Sequence, residues 1–176
     1  MAYSKTPAQI ALMTATDIAA LAASDLAQFT VTQIKALTAT QVGTLSATQI
    51  AALAATQIGA LTTTQFSALD ASAVTALSAQ QIAGLTAQQA KLLTPAVVGG
   101  WSTAQVGALS AAQVGALTTS VVGALSTAQV QALNSAQIAG LSAAQMAAAE
   151  TEACFISFMI ILPLQLIGEM RTAARP

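Results

Sequence analysis

Two aspartates, Asp17 and Asp25, lie eight residues apart. A carboxylate pair of that kind could share a proton or hold a hard cation. Each also sits where a short helix would place its first-turn acid, and there a carboxylate serves as a cap. The chain has no His to carry a proton near neutral pH. Its single cysteine, Cys154, has no histidine to draw it toward the thiolate and reads as an inert apolar thiol. One Cys without His excludes a zinc site and a disulfide framework. Gly99 and Gly100 form a lone pair without the Lys-Ser/Thr ending of a phosphate loop. The expectation is therefore no catalytic residue, no cofactor-binding residue and no metal ligand, in a protein that is not an enzyme.

Whatever positions these residues is not an ordinary charged-surface domain. The 176 residues suffice for one domain, but charged residues make up 6 %, against about 25 % in typical soluble domains. A net charge of −1 lacks the electrostatic footprint of a nucleic-acid binder. No small-molecule substrate is evident either.

The organisation is periodic. Leu recurs at eight-residue spacing from Leu21 to Leu141, with Phe29 and Trp101 filling gaps in the column. From Thr6 to Ala149 the chain divides into eighteen octapeptides of the form [Ser/Thr]-x-x-Gln-[Ile/Val]-small-Ala-Leu, without insertion. Position four is Gln in thirteen of them. Trp101 replaces Leu and reads as core.

Eight residues at 100° each leave a column drifting about 80° per repeat, so one continuous α-helix fails. A plain strand fails as well, because positions five and eight would fall on opposite faces. The chain must bend once per unit. Eleven units carry Ser or Thr followed three residues later by Gln, the capping box of a helix start. Position eight then falls at N′ and position five at N4, which together form a hydrophobic staple. Pro7 and Pro95 directly follow a capping Thr, where proline is harmless to a helix. Nine of the ten glycines lie at positions six or seven, late in the unit, where a short helix would end. The expected fold is all-α, a solenoid of about eighteen very short capped helices, with a β-solenoid as the alternative. Such helices are unstable alone and must stack, with the position-five and position-eight columns as an apolar spine and small residues allowing close approach.

Residues 1–5 read as a lead-in and 6–149 as the solenoid, with either a kink between two sub-arrays or the join of two duplication histories near 86–101, where TAQQAKLLTPAVVGGW breaks the pattern. Residues 150–176 form an apolar tail, a cap or a short membrane segment. Membrane contact would fall to 154–168, whose fifteen residues rise about 22 Å as a helix, short of a roughly 30 Å hydrocarbon core. The first ten residues show no signal-peptide pattern.

The run LTATQVGTLSATQIAALAATQIGAL, Leu37–Leu61, resembles the tandem octapeptide arrays of very large bacterial exported or surface proteins, often adhesin-like. The resemblance implies a non-enzymatic rod-like spacer or adhesive module at the cell surface or exported, with self-association or a surface or protein partner. The alternative is an ice- or surface-binding solenoid using the Thr columns at positions one and three, such as Thr38 with Thr40 and Thr62 with Thr64.

Overall fold

The computed structural model describes residues 4–149. These form eighteen helices of four to seven residues, one per octapeptide, from α1 (Pro7–Ala11) to α18 (Ala143–Ala149), with no strand among the described residues. The helical solenoid is thus the fold, and the β-solenoid is excluded. The tail, 150–176, with Cys154 and the 154–168 segment, lies outside the described residues. Among those described, no helix is long and apolar enough to cross a membrane.

Most helices start as their capping chemistry dictates, those after Ala22 and Ala54 having no side-chain cap bond. Thr38 has extended φ and ψ of −76° and 159°, and its hydroxyl accepts the Gln41 amide while the Gln41 side chain accepts the Thr38 amide. Pro7 and Pro95 occupy first helical positions. After one turn the chain bends and the next capping residue begins the next helix.

Stacking follows a fixed step. Helix n packs on helix n+3 along the array: α2 (Ala15–Ala19) meets α5 (Ala39–Gly43), which meets α8 (Thr63–Ser67). Three octapeptides, 24 residues, therefore complete one coil, and the solenoid has three sides. The interior holds the two expected columns. Ile34, Val42, Ile50 and Ile58 at position five are fully enclosed, and Leu37 to Leu141 at position eight line the same core, with Trp101 among them.

The glycines have a different role from helix termination by left-handed backbone. No described glycine has positive φ, and Gly84, Gly100 and Gly140 end their helices in right-handed geometry. Their use is close approach between coils. Position six of one unit faces position seven of the unit 25 residues on, as in Gly59 with Gly84 and Gly115 with Gly140. A Cβ at Gly84 would stand 2.6 Å from the Ala55 carbonyl oxygen, backbone that cannot yield. Gly84→Ala should therefore destabilise by about 1–3 kcal/mol through overpacking. Gly99, whose Cβ would meet nothing within 4 Å, should instead gain up to about 1 kcal/mol as Ala. Thermal unfolding of the two variants checks the pair, since opposite signs are expected from chemically identical substitutions.

Candidate functional site

The feature that organises the molecule is a ladder of buried glutamines. Gln33, Gln41, Gln49, Gln57, Gln65, Gln81, Gln89, Gln113, Gln129, Gln137 and Gln145 are all at most 5 % exposed. Burying so many carboxamides is tolerable only if every polar atom finds a partner. Gln89 shows how this is done. Its Oε1 accepts the Thr86 amide at 2.8 Å, closing the capping box inside its own unit. Its Nε2 donates to the carbonyl oxygens of Ile58 and Leu61, both at 2.9 Å, in the coil before. The same reach, 28 and 31 residues back, recurs from Gln41 to Gln145, with 30 in place of 31 at Gln105 and Gln137. Each carboxamide therefore fixes a helix start and ties it to the corner beneath. No described buried side-chain nitrogen or oxygen lacks a partner.

The capping half of this role was legible in the Ser/Thr-x-x-Gln spacing; the inter-coil half was not. Its trace in the sequence is a 24-residue rhythm of exceptions. Ala73, Val97 and Val121 replace Gln at 24-residue intervals and so fall on one side of the solenoid, in α9 (Ala71–Thr75), α12 (Pro95–Gly99) and α15 (Thr119–Gly123). All three are buried and apolar. A second exception is Trp101. Its indole nitrogen donates to the Val74 carbonyl at 3.3 Å, while Gln105 donates to the Thr75 and Leu77 carbonyls nearby.

Asp17 and Asp25 occupy the first coil with Gln9, where they face no earlier coil among the described residues. Asp17 Oδ2 accepts the Thr14 amide at 2.9 Å and the Thr14 hydroxyl at 2.7 Å. Those bonds, the hydroxyl's first, hold its carboxyl below the usual pKa. Asp17 is thus a cap. Asp25 follows Ala22, which has no hydroxyl, and that helix start has no side-chain cap bond. Asp70 caps its own helix by accepting the Ser72 amide and hydroxyl, the amide bond being the larger cause of its lowered pKa. No cluster of three or more potential metal ligands occurs among the described residues.

A half-open cavity of about 130 Å³ lies beside Val97, lined by Phe66, Ser67, Leu69, Ala71, Val74, Leu92, Leu93, Thr94 and Val97.

An all-helical array in which each described inner octapeptide contacts the units three before and three after it defines a class: a tandem-repeat α-solenoid. The ALTTAQ repeat matches residues 18–55, 91–119 and 122–151, more than half of the chain, and the protein belongs to that repeat family. Comparison with curated proteins and with solved structures found no match.

Proposed function

We propose that the chain is a non-enzymatic structural repeat, a spacer or adhesive module of a bacterial surface or exported protein. The observation that carries this reading is the internal use of the polar side chains. The position-four glutamines are committed to caps and corners, and Asp17 and Asp70 to caps. That arrangement suits a part whose task is to hold length. The eight-residue unit supports the reading too, because adding coils adds no new kind of contact. The octapeptide resemblance supplies the bacterial surface context.

The test is to vary length. Inserting one further 24-residue coil of consensus sequence in the full chain should extend its maximum dimension by roughly 8–10 Å, the separation of packed helices. Small-angle X-ray scattering on chains with one, two and three inserted coils checks it. An unchanged dimension, or one that saturates, would remove the spacer reading.

One observation favours a second reading. Units 2, 5 and 8 share a side of the solenoid, so Thr14, Thr38 and Thr62 form one column there and Thr16, Thr40 and Thr64 another. A regular face of hydroxyls and methyls could order water at an ice surface. The column at position three gives way to Gln88, Ala112 and Ala136 further along. Thermal hysteresis in a freezing assay would favour this reading over the spacer.

A further inference from the structure

The cavity beside Val97 stands where a neighbouring unit would hold a carboxamide. Applying the spacing of Gln89 to position 97 points to three groups: the amide of Thr94, three residues back, and the carbonyls of Phe66 and Leu69, 31 and 28 residues back. All three residues line the cavity. Valine at 97 ends in two methyls, so it neither accepts from the Thr94 amide nor donates to those carbonyls. Its neighbours build the wall. Leu92 takes the place of the usual small residue at position seven, stands 40 % exposed and forms part of the cavity wall. Phe66, Leu69 and Val74 supply the rest of an apolar lining. A cavity of similar size, about 150 Å³, admits a benzene ring in other proteins.

We propose that this cavity is a binding site for small molecules that carry a primary carboxamide on a compact apolar body. The ligand's amide oxygen accepts from Thr94 N–H, its NH₂ donates to the Phe66 and Leu69 carbonyls, and its apolar body lies against Phe66, Val74 and Leu92. The ligand thus supplies the function that Gln supplies in twelve of the eighteen octapeptides. The three alternatives in the amide's place make the recognition specific: a ketone cannot donate, a carboxylate is repelled by carbonyl oxygens, and a hydrocarbon offers neither contact.

The experiment is an NMR titration of the full chain with benzamide, acetophenone and benzoate, following the methyl signals of Val97 and Leu92 and the Thr94 amide. Benzamide should shift all three saturably, and acetophenone and benzoate should bind at least tenfold more weakly. Val97→Gln, which supplies the carboxamide covalently, should abolish benzamide binding while raising the unfolding temperature. Leu92→Ala, at a partly exposed side chain, should keep the helical spectrum and weaken benzamide severalfold. Equal binding of benzamide and acetophenone overturns the proposal, as does undiminished binding by a folded Val97→Gln. The absence of shifts at Val97 and Leu92 at millimolar benzamide overturns it too. If Val97→Gln does not fold, the benzamide–acetophenone ratio and Leu92→Ala decide between the same outcomes.

Discussion

Leu77→Asp is expected to destabilise the whole array by several kcal/mol, enough to unfold a domain of ordinary stability. Leu77 is 1 % exposed and sits in the position-eight column, at the corner between two helices. An aspartate there removes the apolar burial and leaves a carboxylate in the core with no cation to pair with. The corner is also an attachment point, because Gln105 donates to the Leu77 carbonyl at 2.7 Å. A shift of the backbone at 77 therefore releases the coil above it. The control is Thr64→Ala at an exposed position-three residue, where a cost under about 1 kcal/mol is expected. Chemical denaturation followed by circular dichroism measures both, and equal shifts would reject the assignment of columns to inside and outside.

The second large effect separates the two halves of the glutamine's task. Gln89→Glu keeps size and shape and retains an oxygen for the Thr86 amide. It places a carboxylate against the Ile58 and Leu61 carbonyl oxygens that Gln89 now reaches at 2.9 Å. A loss of about 3–5 kcal/mol is expected, since the charge is buried without a partner. Burial and the facing oxygens raise the folded-state pKa of this Glu above its unfolded value of about 4.3. Protons are then bound more tightly in the folded state. The variant should be least impaired below about pH 4 and should lose stability as pH rises from there through the raised value. Gln9→Glu is the contrast. Gln9 is exposed and its Oε1 accepts the Thr6 amide, with no donation to another coil among the described residues, so the change should cost under about 1 kcal/mol. Similar losses at 9 and 89 would show that capping, not the tie between coils, is what the column supplies.

That contrast also marks how far the sequence could be read. The capping box, the staple and the proline placement are contacts within one octapeptide or between adjacent ones, so Thr38 with Gln41 reveals them directly. The solenoid and its two core columns follow from those local rules. How many units close a coil depends on the angle at each corner, which no single octapeptide displays. For the same reason the second hydrogen bond of Gln41, to residues 28 and 31 positions earlier, has no local signature. Gly59 and Gly84 were legible as small residues suited to close approach. Their pairing at a separation of 25 becomes visible only once the coil length is known. The candidate cavity is hidden by the same limit. Val97 reads only as an exception in the glutamine column until the coil brings Phe66 and Leu69 beside it.

The closure of the coil on a whole number of octapeptides has a genetic consequence. Unequal exchange between similar eight-residue stretches adds or removes units one at a time. Any such change leaves every downstream residue in its proper column, so the core tolerates it. It also moves the entire downstream surface to the next side of the prism. Three units restore the original alignment. Between Thr16 and Thr64, and between Ala73 and Val121, only gains and losses in multiples of 24 residues therefore keep each column on one side. A surface pattern in this array has a reading frame, with the octapeptide as its letter and the coil as its codon.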